Sequence, residues 1–176
     1  MMIGLPGSGK STYVKSLMKC YPDLEFVVLS TDDYIENKAV ANGTTYADIF
    51  QDTYKEAEEF MFARLQYAID NGISVFWDQT NLNKKTRMKK LDKIPDDYVR
   101  AFVLYSNTDI DSLLERQKNR KPTKIIPRHV MTNMANSLEW PDADEGFREG
   151  LVIYSRWSKI PIDIQSPFSY IKYVIK

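Results

Sequence analysis

The sequence predicts an α/β domain built on a central parallel sheet with helices on both faces. Short apolar runs alternate with longer segments whose apolar residues recur every three or four positions, as in buried strands separated by amphipathic helices. Several apolar runs end directly in polar or acidic residues, which is typical of strands that reach the functional edge of an open sheet. At 176 residues and 43% hydrophobic content, we expect one domain over residues 1–176.

A glycine-rich loop follows the first apolar run, Met1-Met2-Ile3. Gly4–Ser11 matches G-x-x-x-x-G-K-[ST], the phosphate-binding P-loop, at every defined position. Its glycines let the backbone approach a phosphate, and its amides and the next helix form an anion site. Lys10 would lie at the β- and γ-phosphates of ATP, and the Ser11 hydroxyl would join the shell of Mg²⁺. The predicted nucleotide-binding residues are Gly7, Ser8, Gly9, Lys10, Ser11 and Thr12.

The second predicted strand, residues 25–30, ends in the polar run Ser30–Tyr34. Open α/β sheets place substrate-binding groups at the carboxyl ends of their strands. We therefore expect Asp32 to accept the proton of an acceptor hydroxyl, and Thr31 and Asp33 to bind substrate. The alternative is that an aspartate here is the N-cap of the following helix, and two adjacent aspartates allow both roles, one as cap and one as base.

Between the second and third strands we expect a loop and then a long helix. Residues 36–45 are predicted to be a loop that ends in a helix N-cap. Residues 46–70 are predicted to be one helix, because their apolar residues recur every three or four positions and so lie on a single face. Asn71-Gly72 is the expected end of this helix. We interpret this apolar stripe as core.

The third predicted strand, residues 73–78, ends in Asp78. An acid at this place in P-loop proteins typically helps to hold the metal, so Asp78 and Ser11 are the predicted Mg²⁺ ligands. The polar loop that follows lies at the same edge, and Asp78, Thr80 and Asn81 complete the predicted substrate-binding residues.

Five basic residues then cluster on a short predicted helix: Lys84, Lys85, Arg87, Lys89 and Lys90. Such a cluster could bind the phosphate backbone of a nucleic acid. The alternative, a helix face that is simply exposed to solvent, explains it equally well. A second basic segment, about residues 116–126, follows a fourth strand (residues 99–105) and a helix opened by Thr108–Asp111. We interpret it as a lid whose arginines neutralise charge on the transferring phosphoryl group, although a surface charge run needs no function.

Pro127 is predicted to begin a helix that ends at Pro141. This helix carries His129, the chain's single histidine, which we interpret as structural or surface-exposed. Residues 151–154 are the fifth predicted strand, and residues 170–175 form either a last strand or a docked extension.

The overall composition is balanced, with 24 basic and 24 acidic residues, so no net field draws the chain to nucleic acid or membranes. We see no signal peptide and no apolar stretch that could span a bilayer, and we expect a cytoplasmic protein. A homo-oligomer is compatible with the sequence.

With these residues assembled, the chain resembles the 5′-polynucleotide kinase family of P-loop phosphotransferases, including the phage-type enzymes, as far as about Phe147. The resemblance rests on four blocks: Gly4–Thr12, Ser30–Tyr34, Asp78–Asn83 and Arg116–Pro127. It implies a P-loop kinase fold, ATP and Mg²⁺ as cofactors, and a nucleic-acid acceptor, DNA or RNA, most simply at its 5′-OH end.

The resemblance also implies roles for particular residues. The catalytic set would be Lys10, Asp32 as general base, Arg120 as lid arginine and Arg116 as second candidate for it. The chain departs from the phage-type pattern at Ile35, where those enzymes have an arginine that helps to bind the acceptor's phosphate. The departure implies altered acceptor recognition.

Other acceptors therefore stay open: the hydroxymethyl group of a modified DNA base such as 5-hydroxymethyluracil, a nucleoside, or a tRNA-attached serine. A base inside DNA would have to be flipped into a pocket. A different class of function is a nucleotide-binding switch or ATPase. Asp32 and the arginine-rich lid argue against it, because a switch needs no base aimed at an acceptor.

Overall fold

The computed structural model describes residues 1–106, 109–118 and 125–154, together with the backbone of residues 171–175. The strands are β1 (Met2–Gly4), β2 (Phe26–Leu29), β3 (Ser74–Trp77), β4 (Ala101–Tyr105), β5 (Glu149–Tyr154) and β6 (Ile171–Ile175). The helices are α1 (Lys10–Cys20), α2 (Thr31–Ala41), α3 (Tyr46–Asp70), α4 (Lys84–Leu91), α5 (Ile110–Gln117) and α6 (Arg128–Asn136), and a 3₁₀ helix spans Ala143–Glu145. In these described ranges, no helix has the length and apolar character needed to cross a membrane.

All paired strands run parallel, which confirms the predicted parallel α/β architecture. One sheet has the order β1-β4-β5-β6, and a second sheet pairs β2 with β3. The two sheets meet where β1 and β3 end. There the Gly4 amide donates to the Thr80 carbonyl at 3.0 Å, and Asn81 Nδ2 donates to the Met2 carbonyl at 2.7 Å. Further down, a cavity of about 610 Å³ lies between the two sheets.

The bounds of α3 agree with the prediction because its ends are set by local groups. The Thr45 hydroxyl accepts from the Asp48 amide, and the Asp48 carboxylate accepts from the Thr45 amide, a complete capping box. At the other end, Gly72 adopts a φ of 64° that turns the chain into β3. The apolar stripe of α3 is core, as predicted: Met61 and Leu65 pack with Val27 and Trp77.

The predicted loop over residues 36–45 is wrong for most of its length, because α2 continues to Ala41. Ser30 caps this helix by accepting from the Asp33 amide at 3.3 Å. Ile35 and Ala39, one turn apart, are buried. Packing of α2 on α3 thus stabilises a helix whose other residues give little amphipathic signal.

Two other helix predictions need correction at their ends. The helix after Pro127 ends at Asn136 and not at Pro141, with Pro127 as its N-cap. Asp109 caps α5 by accepting from the Ser112 amide, whereas the proposed cap Thr108 lies outside the described residues. Of the two alternatives for residues 170–175, the structure shows a strand, since β6 pairs in parallel with β5.

Candidate active site

The P-loop joins β1 to α1 in the way the motif requires. Gly4 adopts a φ of 145°, and a Cβ there would lie 2.9 Å from Tyr105 Cβ and 3.1 Å from Ser8 Oγ. Gly9, with a φ of 108°, is the N-cap of α1. Both positions therefore require glycine, and the loop stays narrow enough for its amides to converge.

The interior of the loop carries polar groups suited to a phosphate. Lys10 is buried, and its Nζ donates to the carbonyls of Gly4 and Leu5 at 2.9 Å each. Ser8 Oγ is buried and has no hydrogen-bond partner in the described residues. An unsatisfied buried hydroxyl is unfavourable, and an anionic oxygen in the loop would supply its acceptor. The loop thus fits the triphosphate of ATP.

The residues predicted to hold Mg²⁺ fit a site shared with phosphates. Ser11 is exposed in the first turn of α1, beside Thr12, and Asp78 is half-buried after β3. No group of three or more Asp, Glu, His or Cys side chains that could hold a metal occurs in the described ranges. Mg²⁺ usually takes phosphate oxygens and waters besides one or two protein oxygens, so two protein ligands would be ordinary for this ion. Ser11 and Asp78 as those ligands stay a prediction. The ion would neutralise phosphate charge.

Asp32 lies in the first turn of α2 with its side chain exposed. Because Ser30 caps this helix, the interpretation of the aspartates as N-caps is wrong. The Tyr46 hydroxyl donates to Asp32 Oδ1 at 2.8 Å. Burial raises the pKa of Tyr46, and the charge of Asp32 and its hydrogen bond raise it further, so Tyr46 stays a neutral donor.

A cavity of about 400 Å³, here called the α2–α3 cavity, lies beside the start of α2. Its lining includes Ser30, Asp33, Tyr34, Asn37, Lys38, Phe60 and Arg64. The rings of Tyr34 and Phe60 pack with their centroids 4.8 Å apart. Tyr34 and Lys38 both donate to Glu56, so Glu56 neutralises the lysine. Ile35 is fully buried, which keeps the position that departs from the phage-type pattern out of this cavity.

Two of the predicted substrate-binding residues face the interior. Thr31 is buried, and its hydroxyl accepts from Gln79 Nε2 at 2.9 Å. Asn81 is 2% exposed, with its amide directed to the Met2 carbonyl. In this geometry they support the sheet edge, and their contact with substrate stays a prediction. Thr80 is half-buried at the edge, and its carbonyl bonds Gly4.

Part of the basic cluster on α4 is bonded inside the protein. Arg87 is fully buried against Glu145, and Lys84 pairs with Asp142 and Asp144. Lys90 donates to Gln79 Oε1 at 2.6 Å and Asn81 Oδ1 at 2.5 Å, and burial lowers its pKa to about 8. Lys85 and Lys89 remain exposed. Arg87 and Lys90 thus bond inside the protein, and neither sequence interpretation holds for them. Lys84 pairs with exposed aspartates at the surface, and for it and the exposed Lys85 and Lys89 both interpretations stay open.

The structure describes part of the predicted lid segment. Arg120 lies outside the described residues, and Arg116 is exposed in the last turn of α5. Between them in sequence, Gln117 is 1% exposed, and its Oε1 accepts from the Ile126 amide at 2.8 Å. A Cβ built at Gly7 would lie 3.8 Å from Gln117 Cγ. Gln117 thus holds the end of the predicted lid segment, at Ile126, close to Gly7 of the P-loop.

Comparison with known proteins agrees with this geometry. Residues 1–141 match the family model AAA_33, described as an AAA domain, and they make up about four-fifths of the chain. The chain belongs to this family. The AAA_33 domain is also similar to a gluconokinase from Sinorhizobium meliloti 1021, with a TM-score of 0.50 and 18% sequence identity over 87% of this chain and 79% of that one. At this identity the likeness concerns the fold alone, and it confirms a P-loop kinase-like α/β domain, a fold that implies ATP and usually Mg²⁺.

Sequence reasoning missed two residues of the AAA_33 domain's site. Tyr46 is the first residue of a core helix, and nothing local marks its bond to Asp32, 14 positions earlier. Gln117 is hidden in a basic run that suggests a solvated surface. In both cases the signal is a contact between segments, which a single sequence does not display.

Proposed function

We propose that this protein is an ATP- and Mg²⁺-dependent kinase that transfers a phosphoryl group to an acceptor hydroxyl, with Asp32 as general base. The observation that carries the proposal is an exposed carboxylate, steadied by a tyrosine, at the strand edge where the P-loop also lies. In the reaction, the bond between the γ-phosphorus and the bridging oxygen breaks and a bond to the acceptor oxygen forms. The acceptor's proton passes to Asp32, and ADP leaves.

The remaining residues take supporting roles in this proposal. Gly7 to Thr12 hold the triphosphate, with Lys10 at its β- and γ-phosphates, and Ser11 and Asp78 hold the metal ion. Arg116 and Arg120 neutralise charge that develops on the transferring group. Asp33, Thr80, Thr31 and Asn81 form the edge that the acceptor approaches.

We infer that the acceptor is a small hydroxylated molecule. The α2–α3 cavity has the volume of a small-molecule site, and two aromatic rings and several polar side chains line it. Asp33, the neighbour of Asp32 in the chain, is among the lining residues, which places the cavity beside the proposed base. Residues 31–70, which carry Asp32 and both walls, include nine acidic and three basic side chains, a net charge of −6 in a chain whose total is zero. This local charge repels a polyanionic strand. The internal bonds of Arg87 and Lys90 reduce the positive surface of α4 that would offset this negative charge.

The 5′-OH end of DNA or RNA is the second candidate. It is supported by the four blocks of resemblance to polynucleotide kinases and by Tyr54 and Phe60, whose side chains are 39% and 46% exposed on α3. Exposed aromatic rings stack on bases without regard to sequence. A nucleoside, or the hydroxymethyl group of a flipped base, would combine a stacking ring with the dimensions of the cavity.

Transfer of label from γ-³²P-ATP with Mg²⁺ to a panel of acceptors tests these proposals. The panel holds 5′-OH DNA, 5′-OH RNA, end-blocked DNA with 5-hydroxymethyluracil, thymidine and D-gluconate, the last because the structural neighbour is a gluconokinase. Label on thymidine or gluconate alone supports a small acceptor, and label on the unmodified strands alone establishes the second candidate. Release of phosphate to water with every acceptor unlabelled would contradict the kinase proposal and favour an ATPase.

A further inference from the structure

We infer that Tyr46 is a positioning residue that holds the Asp32 carboxylate for proton transfer, an inference that rests on the proposed function. The Tyr46 hydroxyl donates to Asp32 Oδ1 at 2.8 Å. One carboxylate oxygen is thereby occupied, and Oδ2 is left to accept the acceptor's proton. Such a contact limits rotation of the carboxylate about its last bond, because turning it would break the hydrogen bond.

Tyr46 is itself held by groups other than Asp32. It is the first residue of α3 and lies inside the Thr45–Asp48 capping box, which fixes the backbone at this point. Its ring packs on Phe50 with centroids 5.5 Å apart, and Phe50 packs on Tyr54 at the same distance. The donor is thus pre-positioned, which is what a residue that orients a catalytic group requires.

The hydroxyl also stays a donor in the active protein. Tyr46 is half-buried, and its raised pKa, caused first by burial, keeps it protonated at neutral pH. It therefore orients the carboxylate as a neutral phenol and does not compete with Asp32 for the acceptor's proton. The expected signature is a loss in the rate of transfer without a loss of nucleotide binding.

Kinetics of Tyr46→Phe test the inference. With γ-³²P-ATP and the best-labelled acceptor of the panel, we expect kcat to fall roughly 10- to 100-fold with KM for ATP unchanged. Phe keeps the ring that packs on Phe50, so the fold is retained. Tyr67→Phe, on the same helix with a 55% exposed side chain, is the matched control and should keep wild-type kcat. A second variant, Phe50→Leu, keeps the hydroxyl but loosens the ring, and we expect a smaller fall of roughly threefold.

A double variant separates this inference from the proposed function. If Tyr46 acts through Asp32, adding Tyr46→Phe to Asp32→Asn should lower kcat no further than Asp32→Asn alone. Wild-type kcat in Tyr46→Phe, with Asp32→Asn inactive, would overturn the role of Tyr46 and leave the base in place. Full activity in Asp32→Asn would overturn the proposed base, and the inference with it. Absence of label on every acceptor with the wild-type protein would overturn both.

Discussion

Arg87 and Glu145 form a two-pronged ion pair that is fully buried, with Nε to Oε2 and Nη2 to Oε1 both at 2.7 Å. Arg87 Nη1 also donates to the carbonyls of Leu82 and Glu139, at 2.8 and 2.9 Å. The guanidinium thus ties α4 to the 3₁₀ helix and to the segments that precede these two elements. Its hydrogen bonds compensate for the cost of taking both charges out of water.

Removing one partner of this pair should strongly destabilise the protein. Glu145→Gln leaves the buried guanidinium without a counter-charge, and we expect a loss of about 3–5 kcal/mol in the free energy of unfolding. Urea denaturation followed by circular dichroism measures it. Asp144→Asn, which removes an exposed partner of Lys84, is the control and should cost less than about 1 kcal/mol. Equal losses in the two variants would show that the buried ion pair contributes no more to the free energy of unfolding than the exposed pair does.

The buried Lys90 predicts a pH dependence of stability. Burial lowers its pKa from 10.5 to about 8, so the folded protein binds this proton more weakly than the unfolded chain. The free energy of unfolding should therefore gain on the order of 1–3 kcal/mol as pH rises from about 8 to 10.5. Urea unfolding at pH 7.5, 9 and 10.5 should show this gain as a difference: relative to Lys90→Met, the wild type and Lys89→Met should become more stable as the pH rises. The comparison with Lys90→Met cancels the opposite contribution of the tyrosines, whose pKa values are raised in the folded protein. The same pH profile in all three proteins would exclude Lys90 as its source.

Asp32→Asn should abolish transfer while nucleotide still binds. Asparagine cannot accept the acceptor's proton, and loss of a general base lowers kcat by roughly 10²- to 10⁴-fold. The Kd for MgADP, measured by calorimetry, should stay within about twofold of the wild type, because the P-loop is unchanged. Asp23→Asn, an exposed aspartate before β2, is the control. A large change in Kd would place Asp32 in nucleotide binding instead.

Gln117→Met should weaken nucleotide binding. Methionine keeps the length of the side chain but loses the bond to the Ile126 amide, so the chain beside Gly7 is less firmly held. We expect a rise of roughly 3- to 10-fold in the Kd for MgADP, the equivalent of about one hydrogen bond. The exposed Gln51→Met on α3 serves as the control. An unchanged Kd would confine Gln117 to a role in stability, which the thermal midpoint would reveal.

The sequence predicted what is locally encoded. The ends of α3 follow from Thr45, Asp48 and Gly72, and the P-loop from its own glycines, so both were predicted from a few neighbouring residues. The helix over residues 36–41 was missed because packing on α3 stabilises it, and its own pattern does not. The sequence does not predict the burial of Arg87, because its partner Glu145 lies 58 positions away. Pairings across such distances depend on the fold, which explains why Tyr46 also escaped notice.

The P-loop and the proposed base extend from different sheets of this molecule. The P-loop extends from the sheet of β1 and β4, whereas Asp32 and the α2–α3 cavity belong to the layer of β2 and β3. Asn81 and Thr80, after β3, form hydrogen bonds with Met2 and Gly4 of β1 and so join the two layers at this edge. On the proposed function, exchanging α2 and α3 would change the acceptor while the P-loop stays intact, provided that Asp78 and Asn81, which follow β3, are kept.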